Sequence, residues 1–129
     1  MTAFEEIFNR LKKILQSRSG KFTVKPDTDT SYGLYAPVGP ATLAMWKGKS
    51  KAPVMPIAWV ETGKSYVSFH LMGIYGNQKL VDSLSPALKA RMQGKTCFNF
   101  KKQDDELFNE LEKITDSSIE GFRKGGYIK

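Results

Sequence analysis

The chain contains 129 residues, of which 40% are hydrophobic and 26% are charged, proportions typical of a globular protein and not of a disordered one. Its formal net charge is +7, from 20 basic and 13 acidic residues. No apolar run approaches the roughly 20 residues that cross a bilayer, and the amino-terminal stretch lacks the apolar core of a secretory signal. We therefore expect one domain over residues 1–129, long enough to bury a core.

Cysteine and lysine usage bears on compartment and partners. Cys97 is the only cysteine and cannot form a disulfide within the chain, which favours a reducing compartment, and we expect a cytoplasmic protein. Most of the basic residues are lysines, which act as point charges, whereas the arginine fork recognises phosphates and guanines through paired hydrogen bonds. Nucleic acid or another anionic ligand is therefore kept as an alternative partner.

The first predicted element is an amphipathic helix. Thr2 and Glu5 fit a capping box, and Gly20 is a plausible end. Between them apolar residues recur at helical spacing, namely Phe4, Ile7, Phe8, Leu11, Ile14 and Leu15. We expect this stripe to cover one side of a sheet.

Short strands and turns follow the helix. Phe22–Lys25 predicts a strand ended by Pro26, and Tyr32–Ala36 and Thr42–Lys47 predict two more. The acidic turn between the first two lacks the glycine and glutamate spacing of a calcium loop. Three segments resemble the end of a phosphate-binding loop, but each lacks the preceding glycine and the following helix, which argues against nucleotide hydrolysis: Gly48-Lys49-Ser50, Gly63-Lys64-Ser65 and Gly94-Lys95-Thr96.

The centre of the chain, Val54–Tyr75, reads as a β-hairpin with a two-residue turn at Thr62-Gly63. This register places Trp59 opposite Tyr66. One face then collects Val54, Ala58, Val60, Val67, Phe69 and Leu71, and we expect it to form core. The other face collects Met55, Ile57, Trp59, Tyr66, Ser68 and His70. A slip of one residue would exchange the two faces.

The remaining chain predicts two short helices, a strand and a long helix. Asn77 is expected to cap the first helix and Ser85, followed by Pro86, the second. Thr96–Phe100 predicts the last strand, and Asp104 is expected to cap the final helix. The order predicts an α+β fold: a mostly antiparallel sheet of five to six strands flanked by amino- and carboxy-terminal helices.

Aromatic and polar side chains on the second hairpin face suggest a ligand or partner groove, whose rim could attract an anionic group through the basic loop Lys47–Lys51. Ordinary packing of these rings in the sheet is the alternative. The candidate binding residues are Trp59, Tyr66, His70, Met55, Trp46, Tyr35 and Lys49.

Catalytic and metal chemistry find less support. Ser68 and His70 share a face but lie about 7 Å apart by strand rise, too far for a nucleophile and its base. A dyad of Cys97 and His70 requires neighbouring strands, and one histidine with one cysteine leaves a metal short of ligands. We assign no catalytic residue, metal or cofactor, and favour a binding domain over an enzyme.

The segment SFHLMGIYG, with the following LSPALKARMQGKTCFNFKK and closing helix, resembles the YdhG-like family of domains of unknown function. The resemblance covers most of the chain and is closest over Ser68–Lys102. It implies a small sheet with flanking helices, related in shape to frataxin, and leaves a frataxin-like iron-binding role as an alternative. Iron sites of that kind are clusters of exposed carboxylates, and the first helix here offers Glu5 and Glu6 before it turns basic.

Overall fold

A computed structural model of the protein describes residues 2–37, 54–74, 77–94 and 96–125. The described helices are α1 (Ala3–Gln16), α2 (Gln78–Asp82), α3 (Pro86–Lys89) and α4 (Asp105–Lys124), with 3-10 turns at Ser19–Lys21 and Met72–Ile74. The strands are β1 (Thr23–Asp27), β2 (Ser31–Pro37), β3 (Val54–Thr62), β4 (Val67–Leu71), β5 (Met92–Gln93) and β6 (Cys97–Phe100).

The strands form one antiparallel sheet of six, in the order β1-β2-β3-β4-β6-β5. With helices at both ends of the chain, this arrangement confirms the predicted α+β class. The predicted strand Thr42–Lys47 and the basic loop Lys47–Lys51 lie outside the described residues. Within the described part, no helix is both long enough and apolar enough to span a bilayer.

The helices begin where side chains replace missing backbone acceptors. Thr2 Oγ1 accepts the Glu5 N–H at 3.1 Å, and Asp104 Oδ1 accepts the Leu107 N–H at 3.2 Å. Asn77 and Ser85 cap α2 and α3 in the same way. All four caps were predicted from residue type and position.

The core lies between one face of the sheet and the helices. From α1 it receives Ile7, Phe8, Leu11, Ile14 and Leu15, all at most 1% exposed. From β4 and β6 it receives Val67, Phe69, Leu71, Phe98 and Phe100. Phe108 of α4 meets Phe100 edge to face, with ring centroids 5.1 Å apart. Burial of each large apolar side chain contributes about 1.5–3 kcal/mol.

The central hairpin turns later than predicted. Thr62 pairs with Val67, and the Gly63 N–H donates to the Tyr66 carbonyl at 2.9 Å, so the tip is Lys64-Ser65. The predicted turn at Thr62-Gly63 is wrong, and opposing pairs shift by four residues. Because four is even, the side chains keep their predicted faces across the two strands.

A bulge changes the alternation at the start of β3. Ile57 is an extra residue in β3 relative to β2, because the register shifts across it. Met55 and Ile57 are consequently buried, at 2% and 0% exposure, with the core residues. The prediction that both lie on the face of Trp59 is wrong.

Two smaller differences concern the sheet edges. Pro26 lies inside β1 and does not end it, at a point where the pairing with β2 shifts register. The two-residue strand β5 pairs with β6 and was not predicted, because two residues carry no readable periodicity.

Candidate functional site

The sheet face opposite the core, called here the second face, carries two rows of residues that run across the strands. The inner row contains Gly33, Trp59, His70, Cys97 and Gln93, one residue from each of five strands. The polar row beside it contains Ser31, Glu61, Ser68 and Asn99. Both rows follow from antiparallel pairing, which sets opposite residues side by side on one face.

The inner row is centred on a stacked pair of rings. Trp59 and His70 are directly opposite each other, with ring centroids 4.4 Å apart and planes inclined by 10°. Both side chains are half-buried. Gly33 is required on the other side of Trp59, because a Cβ there would lie 2.7 Å from the Lys25 carbonyl oxygen and 3.3 Å from the Trp59 Cβ. Tyr35 packs against the same glycine, its ring 3.4 Å from that Cβ position.

The ring nitrogen Nε2 of His70 lies near one polar group from each neighbouring strand. It lies 3.3 Å from Glu61 Oε1 on β3 and 3.9 Å from Cys97 Sγ on β6. Burial lowers the pKa of His70 below its ordinary value of 6.5, and the Glu61 carboxylate opposes that shift only in part. The imidazole is therefore neutral at pH 7.

Cys97 keeps its proton. Its S–H points to Asn99 Oδ1 at 3.3 Å, and the Ser68 hydroxyl donates to the same oxygen at 2.8 Å. Burial raises the pKa of the Cys97 thiol, and the nearby Glu61 charge raises it further, against a lowering contribution from Ser68. The neutral thiol is a poor nucleophile and a poor metal ligand.

The juxtaposition of Cys97 and His70 does not give a nucleophile and its base. The strands are adjacent, as such a dyad requires. However, Nε2 lies 3.9 Å from Sγ, and burial shifts the pKa values of both groups towards their neutral forms, whereas a nucleophilic cysteine must be a thiolate.

The structure brings together only some of the predicted binding residues. Trp59 and His70 stack, on the side away from the core as predicted. Tyr66 is not opposite Trp59: it lies at the hairpin tip, four residues and about 13 Å along the strand from His70. Met55 is in the core. Trp46 and Lys49 lie outside the described residues.

Sequence reasoning missed Glu61 and Asn99 as members of the site. A turn at Thr62-Gly63 would place Glu61 opposite Lys64, whereas its strand partners are Ser31 and Ser68. Asn99 lies within the predicted strand Thr96–Phe100, but its partner Ser68 follows from the pairing of β6 with β4, which local sequence does not reveal. Alternation along β3 already puts Glu61 on the face of Trp59, but only the true register puts it beside Ser68 and His70.

The described ranges contain no cluster of side chains suited to binding a metal ion. Among residues 2–37, 54–74, 77–94 and 96–125, no group of three or more histidine, cysteine, aspartate or glutamate side chains has the geometry to hold an ion. Glu5 and Glu6 are exposed in the first turn of α1.

Comparison with known proteins identifies no relative, since no protein-family model, no curated protein and no solved structure matches the chain.

Proposed function

We propose that this protein is a small, non-catalytic binding domain whose ligand or partner site is the second face of the sheet. The site is centred on the Trp59–His70 stack, with Glu61, Ser68 and Asn99 beside it. The observation that supports the proposal best is the half-buried stack itself, on the face that does not form the core.

The residue types suit recognition. Ligand sites combine aromatic surface with a few oriented polar groups. Here the stacked rings supply the aromatic surface, and hydrogen bonds to Asn99 hold the Ser68 hydroxyl and the Cys97 thiol in place. Tyr35, beside Gly33, extends the aromatic surface towards β1. Side chains held in one geometry lose little entropy when a ligand binds.

The same contacts support a binding role over an enzymatic one. The described second face holds one thiol and one imidazole, and the pKa shifts of Cys97 and His70 both favour the uncharged forms. A nucleophilic cysteine requires the opposite arrangement, with its proton transferred to the base. No acid–base pair is formed by these two groups.

Two wider assignments accompany the proposal. We propose a cytoplasmic location, since the chain has a single cysteine and no internal disulfide can form. We also propose a distant relationship to the YdhG-like domains, supported by the α+β arrangement of a small antiparallel sheet with helices at both ends of the chain.

Native mass spectrometry of the purified protein tests for a retained ligand, and a fragment screen followed by ¹H–¹⁵N NMR tests the face. We expect ligand mass, or fragment-induced shifts, that depend on Trp59 and His70. Trp59→Ala should remove them, while Tyr66→Ala, a half-buried aromatic at the tip of the same hairpin, should leave them in place. Binding confined to other surfaces, or unaffected by Trp59→Ala, would disprove the proposal.

A further inference from the structure

The charge on the second face points to a class of ligand, in an inference that depends on the proposed function. Within the inner row and the polar row, Glu61 is the one side chain that is charged at neutral pH, because His70 and Cys97 are neutral there. Its side chain is 51% exposed. A carboxylate thus stands at the edge of a ring stack on a chain whose net charge is +7.

Only one oxygen of the Glu61 carboxylate contacts another described side chain. Oε1 lies 3.3 Å from His70 Nε2, and among the described residues no hydrogen bond reaches Oε2. The pairing of β3 with β2 and β4 fixes its backbone on both sides. Within the described part of the chain, this second oxygen is therefore available as an acceptor on the second face.

The other polar groups of the second face are neutral and largely occupied with one another. The Ser68 hydroxyl, which is buried, and the Cys97 thiol both donate to Asn99 Oδ1, and an Asn99 amide N–H donates to Gln93 Oε1. Glu61 is therefore the charged acceptor that this face offers to a ligand, and the complementary ligand group is a cation.

We propose that the second face binds a guanidinium group, with a planar cation donating to Glu61 and lying beside the Trp59–His70 stack. A guanidinium has five N–H donors in one plane, pairs with a carboxylate through two parallel hydrogen bonds and packs its flat face on aromatic rings. An ammonium group lacks the planar face. The +7 chain repels cations at long range, so the affinity must come from these short contacts, which salt screens least.

The chain offers a clean spectroscopic test because His70 is its only histidine and gives a single imidazole signal. The probes are N-acetyl-arginine methylamide, ethylguanidinium and the uncharged isostere N-acetyl-citrulline methylamide. We expect the two cations to shift the His70 and Trp59 ring signals saturably and to lower the pKa of His70, since they compete for its carboxylate partner. Citrulline should produce no saturable shift.

Two variants separate the carboxylate from net charge. Glu61→Gln and Glu106→Gln each remove one exposed carboxylate, and Glu106 lies in the first turn of α4. We expect Glu61→Gln to weaken guanidinium binding at least about 10-fold, as for loss of a charged hydrogen bond, and Glu106→Gln to leave it unchanged. An amide spectrum of each variant establishes that it is folded.

Three results would overturn the guanidinium assignment: equal binding of citrulline, unchanged binding in Glu61→Gln, or no saturable shift with either cation. Inorganic phosphate serves as the opposite probe. If phosphate or neutral fragments shift Trp59 and His70 while the cations do not, the second face is a binding site and only its ligand class is wrong. If no probe or fragment reaches this face, the proposed function fails with it.

Discussion

Ser118 is a buried polar side chain, and the effect of replacing it on stability can be predicted from its surroundings. Its hydroxyl oxygen is inaccessible to solvent and forms no hydrogen bond within the described residues. A Cβ placed on Gly73 would lie 1.9 Å from that oxygen and 2.9 Å from the Ser118 carbonyl oxygen. Gly73 therefore permits a close approach of the Met72–Ile74 turn to α4.

We expect Ser118→Ala to leave the free energy of unfolding unchanged or to raise it by up to about 1 kcal/mol, because it removes a desolvated hydroxyl that has no partner. Urea denaturation followed by circular dichroism measures the effect. Thr115→Val is the matched comparison on the same helix, since the buried Thr115 hydroxyl donates to the Leu111 carbonyl at 2.7 Å. It should lower stability by about 0.5–1.5 kcal/mol. A Ser118→Ala variant destabilised as much as Thr115→Val would show that the Ser118 hydroxyl has a partner.

His70 offers a direct measurement of its environment. Burial lowers its pKa and Glu61 raises it, with burial the larger effect. We therefore expect NMR titration of its single imidazole signal to give a pKa below 6.5 in the native protein. In Glu61→Gln the pKa should fall further, because the favourable charge is lost. A value above 6.5 in the native protein would mean that Glu61 outweighs desolvation.

Arg18 links the end of α1 to the middle of α4. Its guanidinium binds both oxygens of Asp116, donates to Glu112 at 3.1 Å and donates to the Ile14 carbonyl at 2.8 Å. Its side chain is only 18% exposed, and the hydrogen bond with Asp116 raises its pKa above the usual value. One side chain thus joins two helices that are distant in sequence.

We expect Arg18→Ala to lower the free energy of unfolding by about 1–2 kcal/mol, less than a buried ion pair would give, because Asp116 and Glu112 remain partly in solvent. Arg123→Ala is the control: Arg123 pairs with Glu120 within one turn of α4, and both are nearly half exposed. It should change stability by less than about 0.5 kcal/mol. Equal effects in the two variants, measured by urea denaturation, would contradict a linking role for Arg18.

Local sequence signals predicted the helices better than the sheet register. The caps at Thr2, Asn77, Ser85 and Asp104 depend on neighbours within three residues, so they can be read directly. The position of the hairpin tip depends on how β3 pairs with both β4 and β2. Thr62-Gly63 has the residue types of a tight turn, but the pairing of β3 with its two neighbours places the turn at Lys64-Ser65. The prediction that Trp59 and His70 share a face was correct, because the register error of four residues is an even number and leaves each side chain on its face.

The candidate site could be predicted only in part from the sequence, because it too depends on strand register and strand order. Alternation placed Trp59 and His70 on a common face, but their direct stacking required the true register. The proximity of Cys97 to His70 depends on β6 lying next to β4, which is a property of strand order. The burial of Met55 depends on a bulge, which shifts alternation with no mark in the residue pattern.

The stability of the whole protein should depend on pH through His70. Its folded-state pKa is lowered from 6.5, so the unfolded chain binds more protons between those two values. The contribution of His70 to stability is therefore fully present above pH 6.5, is lost as the pH falls towards the folded-state pKa, and changes no further below it. The groups that face His70 are Glu61 on β3 and Cys97 on β6.

We expect the native protein to lose more stability than His70→Gln between pH 7 and pH 5, as measured by denaturation midpoints at a series of pH values. The difference between the two curves isolates the histidine, because every other titrating group is common to both. A native curve parallel to that of His70→Gln would show that His70 titrates equally in the folded and unfolded states.

The face-to-face contact of Trp59 with the sole imidazole of the chain has an optical consequence. An excited indole transfers an electron readily to a stacked imidazolium and hardly at all to neutral imidazole, so Trp59 emission should brighten as His70 loses its proton. The binding of any ligand that alters the charge of His70 would then be detectable as a change in intrinsic tryptophan fluorescence, without an added dye.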